Sequence, residues 1–112
     1  MTYRKLTQAE LIAEAHARFG DDPLDIAFRC PECGDVATIR EFRDIGNDAG
    51  RAGQECIGRT IGPARGCTWA AYGLIPGPWE IVLPAEGDRP ERSIRAFPLA
   101  EASVRAARKA AE

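Results

Sequence analysis

The placement of four cysteines constrains this 112-residue chain more than any other feature: Cys30-Pro31-Glu32-Cys33-Gly34, then Cys56, then Cys67. Two residues between thiols let the sulfurs of Cys30 and Cys33 reach one tetrahedral ion at about 2.3 Å. Gly34 frees the backbone to turn tightly there, so that amide N–H groups can point at the sulfurs. The second pair is less regular, with ten residues between Cys56 and Cys67. Gly58 still follows Cys56 by two positions and Gly66 precedes Cys67, so the Arg59–Arg65 loop reads as an insertion into a second knuckle. One structural Zn²⁺ held by Cys30, Cys33, Cys56 and Cys67 is therefore expected, the spacing also admitting other thiolate-loving ions or an iron–sulfur centre. Four unrelated thiols would rarely include the CPxCG turn. A thioredoxin-like redox pair at Cys30 and Cys33 lacks its βαβ surroundings and leaves the other two cysteines unexplained. A structural disulfide is a similar outsider.

A chain of this size builds one domain with a shallow core, for which a metal staple is physically useful. The formal charge is −2, and four thiolates around a divalent ion would carry it to about −4. Such a chain is not steered as a whole onto phosphate backbones. Thirteen of its fifteen basic residues are arginine, which a GC-rich genome accounts for. The opening Met1-Thr2-Tyr3-Arg4-Lys5 has no apolar signal core, and no run approaches 18 apolar residues. Neither a secretory signal nor a membrane span is expected. An intracellular compartment, where thiols stay reduced and pair with metals more often than with each other, is expected.

Local signals divide the chain. Thr7 and Glu10 form a capping box with Leu6 and Leu11 as its staple, which predicts a helix over 8–19. Its apolar face carries Leu11, Ala15 and Phe19 with Ile12 beside them, and Gly20 stops it. Asp25 to Arg29 and Val36 to Ile39 read as two strands of a hairpin around the cysteine turn. Thr38 and Glu41 repeat the capping box, predicting a short helix near 40–45 with Phe42 and Ile45 on its apolar side. Six of the eleven glycines fall in 46–66, a stretch too polar to make its own core. Strands are expected at 68–75, 78–83 and 92–97, with a turn at Glu86–Pro90 between the last two. Pro98, whose missing N–H costs little at a first helical position, opens a predicted C-terminal helix to about 111.

Catalytic patterns are absent. Four thiolates would fill the tetrahedron, whereas a catalytic zinc keeps a position open. The single histidine, His16, lies in the first helix as a partly exposed residue. The nucleobase-deaminase pattern is not met, because His16 is followed by Ala17 and Arg18 and Pro31 falls between the cysteines. Glu32, Glu41 and Glu55 are expected to serve solvation and capping. The chain is not expected to be an enzyme. A binding surface is the remaining candidate: Arg29, Arg51, Arg59 and Arg65 with Trp69, joined by Arg40, Arg43, Tyr72 and Trp79. Against it stands the favoured plain reading, in which the aromatics are the small core and the arginines a solvated rim, diluted by Glu41, Asp44, Asp48 and Glu55.

The ordered set of Leu11-Ile12-Ala13-Glu14-Ala15, Arg18-Phe19-Gly20-Asp21-Asp22-Pro23, Phe28-Arg29-Cys30-Pro31-Glu32-Cys33-Gly34, Cys56-Ile57-Gly58-Arg59, Gly66-Cys67-Thr68-Trp69 and Gly73-Leu74 resembles a family of short zinc-ribbon-like proteins of bacteriophages and prophages. The likeness covers roughly residues 6–100 and leaves the C-terminal helix outside. It implies a phage-encoded accessory protein working in the bacterial cytoplasm and brings no activity with it.

The expected architecture is α+β: a zinc-ribbon-like domain over 1–97, with an N-terminal helix and a small antiparallel sheet, and a C-terminal helix over 98–112 that docks loosely. The expected function is binding of a host or phage protein as an accessory or host-modulating factor. A nucleic-acid-binding, regulatory ribbon is the alternative, and a metal-dependent or thiol redox enzyme the third.

Overall fold

A computed structural model describes residues 3–62, 64–73 and 76–103. Strand β1 (Arg4–Thr7) runs directly into helix α1 (Gln8–Phe19). Thr7 ends the one and caps the other: its hydroxyl accepts the Glu10 N–H at 3.1 Å, and the Glu10 carboxylate accepts the Thr7 N–H at 2.8 Å. The expected capping box is therefore formed, and the helix has the expected bounds. Ala15 and Phe19 are buried and Leu11 packs on the core, while Ile12 is 45 % exposed and lies off that face. Gly20 closes the helix at φ +88°.

A turn of 3-10 helix at Pro23–Asp25 precedes β2 (Ala27–Arg29), so the strand expected from Asp25 starts two residues later. Beyond the cysteine turn β3 (Val36–Thr38) returns antiparallel, Phe28 facing Ala37. Thr38 and Glu41 form a second capping box on α2 (Ile39–Asp44), which buries Phe42 completely. A 3-10 turn at Ala49–Gly53 and a single helical turn, α3 (Gly58–Ile61), follow. The chain then reaches β4 (Trp79–Leu83) and β5 (Arg92–Ala96), joined by the expected turn, in which Glu86 and Arg89 exchange backbone hydrogen bonds.

Three expectations are corrected. The larger sheet, ordered β1-β4-β5, is mixed and not antiparallel: β1 runs parallel to β4, with Leu6 opposite Ile81, while β5 is antiparallel to β4. The strand expected at 68–75 is reduced to one bridge between Glu55 and Ala70, followed by a turn at 71–73. Its physical reason is local. The Trp69 N–H is aimed at the Cys67 sulfur, 3.4 Å away, and is spent there, not on a ladder. Positions 74 and 75 lie outside the described residues.

The helix expected to open at Pro98 does not. Pro98 accepts the Arg29 N–H at 3.0 Å, Leu99 bridges Phe28, and Ala100 donates to the Ala27 carbonyl at 2.9 Å, so the segment extends the β2–β3 sheet. Leu99 and Ala100 are buried, and Arg18 donates to both of their carbonyls. The open edge of β2 supplies partners that a helix would have to forgo. Ser103 is the first helical residue of this stretch, and the rest of the expected C-terminal helix, 104–112, lies outside the described residues.

The core runs continuously from Leu6, Phe19, Trp79 and Ile81 through Phe97 and Leu99 to Phe28, Phe42 and Ile57 beneath the cysteines. Among the described residues no helix is long and apolar enough to cross a membrane.

Candidate metal centre

Each sulfur is placed by a short piece of backbone that the sequence makes turn. At the first knuckle, Cys30 donates its N–H to the Asp35 carbonyl at 2.8 Å and accepts the Gly34 N–H on its own carbonyl at 2.8 Å. Gly34 takes φ +81°, a left-handed value that suits glycine. At the second knuckle the two glycines do more. A Cβ on Gly58 would lie 2.5 Å from the Arg65 carbonyl oxygen and 2.6 Å from the Cys67 amide nitrogen. A Cβ on Gly66, at φ +71°, would lie 2.6 Å from the Cys56 sulfur. The insertion can therefore loop out and return to the sulfurs only because both positions lack a side chain. The insertion itself carries α3.

The result is one cluster. The sulfurs of Cys30, Cys33, Cys56 and Cys67 all lie within 4.8 Å of one another. Two of the separations, Cys30 to Cys67 and Cys33 to Cys56, are 3.7 Å. Tetrahedral zinc with bonds of about 2.3 Å sets its sulfurs about 3.8 Å apart, whereas a disulfide needs about 2.05 Å. The donor set thus fits a thiolate-bound divalent ion, and all four cysteines are unpaired. Cys30 and Cys56 are buried, at 1 % and 2 % exposure, while Cys33 faces solvent.

Amide N–H groups converge on the sulfurs, as the knuckle pattern implies. Cys67 donates to Cys56 Sγ at 3.2 Å and Trp69 to Cys67 Sγ at 3.4 Å. Burial pushes the Cys30 thiol well above its ordinary value, opposed by the Cys33 and Glu32 N–H groups aimed at its sulfur. A cation among the sulfurs would offset that burial. With four thiolates in place no coordination position stays open, which is the arrangement of a structural ion.

The residues expected to form a binding surface are placed differently from one another. Arg29 pairs with Glu101 through two hydrogen bonds and donates to the Gly34 carbonyl at 2.7 Å. Arg51 pairs with Glu55 at 3.0 Å. Arg59 donates to the Thr68 carbonyl at 2.7 Å. Arg65 binds Asp35, Glu41 and the Val36 carbonyl. Trp69 is half-buried and stacks on Phe97, ring centroids 5.5 Å apart. Arg59, Trp69 and Tyr72 do come together, lining with Glu32, Cys67 and Thr68 a groove of about 540 Å³ beside the cluster.

His16 is exposed on α1 and no part of the cluster. Glu41 caps α2 as expected. Glu55 does not serve solvation: it is 4 % exposed and accepts hydrogen bonds from Tyr72 and Arg51. Its burial had one legible signal, its place next to Cys56.

No curated protein and no solved structure matches the chain significantly. A family model does, over residues 7–97, from the cap of α1 past both knuckles to the end of β5 and Phe97. By that match the chain belongs to the VVA0879-like family.

Proposed function

We propose that the chain is a zinc-stabilised binding module, its two knuckles arranged as in a zinc ribbon, which acts through protein–protein contacts as a phage accessory or host-modulating protein. The observation that carries this reading is the closed set of four thiols. A filled tetrahedron offers no position for a substrate or an activated water, so the ion serves the fold and not a reaction. The working surface is then what the knuckles present to solvent.

A protein partner is favoured over nucleic acid by how the arginines are used. Arg29, Arg51 and Arg65 are each held by a carboxylate, and a phosphate would have to displace that carboxylate before binding. The formal charge of −2 supplies no steering toward a polyanion. The regulatory nucleic-acid-binding ribbon is favoured by one observation, the groove in which Arg59 stands with Trp69 and a Tyr72 that is 55 % exposed, because bases stack on such rings.

One pair of measurements separates the readings. Labelled single and double strands should show no binding at low salt, and a host or phage protein retained by the wild-type chain should be lost by Tyr72→Ala with the metal content unchanged. Strand binding with a steep salt slope would install the nucleic-acid reading instead.

A further inference from the structure

We infer that Arg65 is a positioning residue for the metal centre, a latch that holds the second knuckle against the first. The inference rests on the four-thiol reading of the site.

Arg65 stands two residues before Cys67, at the return of the insertion. Its guanidinium crosses to the first hairpin and the start of α2 and engages three acceptors there. Nε donates to Asp35 Oδ1 at 3.1 Å, Nη2 to the Val36 carbonyl at 2.7 Å, and Nη1 to Glu41 Oε2. Asp35 stands two residues after Cys33, and its carbonyl accepts the Cys30 N–H. Glu41 holds the cap of α2 through its other oxygen, 3.0 Å from the Thr38 N–H. One side chain therefore ties the backbone entering Cys67 to the backbone leaving Cys33, and both to a helix start. Its partners in ordering the described part of the insertion are smaller: the single turn α3, Asn47 donating to Thr60 Oγ1 at 2.8 Å, and Arg59 donating to the Thr68 carbonyl at 2.7 Å.

A planar fork reaching three acceptors at once is specific to arginine; an ammonium keeps the charge and loses the geometry. A latch of this kind acts on metal affinity by sparing the ion the cost of ordering the loop. Residues that hold metal ligands in position typically change affinity by about 10–100-fold when they are replaced.

The experiment is zinc competition against a chromophoric chelator for the full chain and its Arg65→Ala, Arg65→Lys, Asp35→Asn and Glu41→Gln variants, with the Co²⁺ spectrum recorded for each. Both Arg65 variants should bind zinc about 10–100-fold more weakly than wild type while keeping tetrahedral Co²⁺ bands. The carboxylate variants decide the sign and keep the test alive if Arg65→Ala does not fold. A four-thiolate zinc site carries two net negative charges, so removing a nearby carboxylate charge would tighten binding if charge alone mattered. The latch requires that it weaken.

Wild-type affinity in Arg65→Lys, or tighter binding in Asp35→Asn, would overturn the latch. A wild-type chain that takes up no metal overturns the metal reading and the latch together. A wild-type chain that binds zinc beside variants of unchanged affinity overturns the latch alone.

Discussion

Between Ala27 and Ala71 the described residues hold four thiols, the short helices α2 and α3, a 3-10 turn at Ala49–Gly53 and the three-pair ladder of β2 with β3. From Trp79 to Ala96 it holds two five-residue strands paired along their whole length, with β1 added on the outer edge of β4. The second region is ordered by backbone pairing over buried Leu6, Trp79 and Ile81, the ordinary way for a small sheet packed under a helix. The first has buried anchors in Phe28, Phe42 and Ile57, but its glycine-rich stretch from 46 to 66 gives little apolar surface to bury. What brings that stretch back on itself is the convergence of sulfurs. One region folds because its side chains leave water; the other closes where its ends bring four thiols to one point.

The largest effect follows from that contrast. Structural zinc contributes on the order of 10–16 kcal/mol of apparent free energy in small zinc modules at neutral pH. Stripping the metal should therefore lower the denaturation midpoint steeply. Amide exchange should show the loss to be uneven, with amides of 50–70 losing protection first and those of β4 and β5 keeping part of theirs. Equal loss across both regions would mean that they form one cooperative unit, and the contrast drawn above would fail.

The second knuckle offers a sharper version. Gly58→Ala places a carbon against three backbone atoms that have nowhere to move, 2.5–2.6 Å away. It should cost about 4–5 kcal/mol, at the upper end for single substitutions, and zinc affinity with it. Gly34→Ala in the first knuckle meets no atom within 4 Å and carries only its left-handed φ, worth about 1–2 kcal/mol. Chelator titrations of the two variants check the ranking, and a reversed order would break the account of why the insertion needs its glycines.

How much of this was legible depended on how far each signal had to reach. The two capping boxes, Thr7 with Glu10 and Thr38 with Glu41, are complete within four residues, and both helices formed where the sequence put them. The CPxCG turn is local in the same sense. Strand β1 was hidden because its partner lies beyond residue 78 and its one buried residue, Leu6, also reads as a helix staple. Pro98 was misread because a fixed φ suits both a helix start and an extended strand, and the deciding partner, β2, is some seventy residues away. Arg65 looked like one more exposed arginine, since Asp35 lies 30 positions off in sequence. The sulfurs were the exception among long-range contacts, because four cysteines have few other uses in a chain without disulfides.

The sheet region yields a prediction of opposite character. Ile81 is 2 % exposed and pairs with Leu6 on one side and Ile94 on the other. Ile81→Ala should cost about 2–5 kcal/mol through the cavity it leaves. Zinc affinity, read by the same competition assay, should stay within about threefold of wild type, well short of the 10–100-fold expected of a residue that positions the ligands. A large loss of affinity here would show the sheet to be a support of the metal centre.

The smallest effect lies on α1. Glu14 on α1 accepts two hydrogen bonds from Arg4, whose guanidinium also lies over the Trp79 ring at 4.6 Å, and it pairs with Arg18 four residues on. The Arg4 hydrogen bonds hold its carboxyl below the usual carboxylate range, against a smaller opposing effect of burial. A depressed native pKa contributes stability above the unfolded value, near 4.3, and loses it as pH falls through the native one. Glu14→Gln should thus lower stability by about 0.5–1 kcal/mol at pH 7, a shift of a few degrees in Tm. As pH falls below the depressed native value the difference from wild type should close, since both proteins then carry a neutral side chain at position 14. Acid also expels zinc, but that loss is common to the two proteins and cancels in the difference. A gap that persists into acid would assign the effect to packing of Arg4 on Trp79 and not to the charge of Glu14.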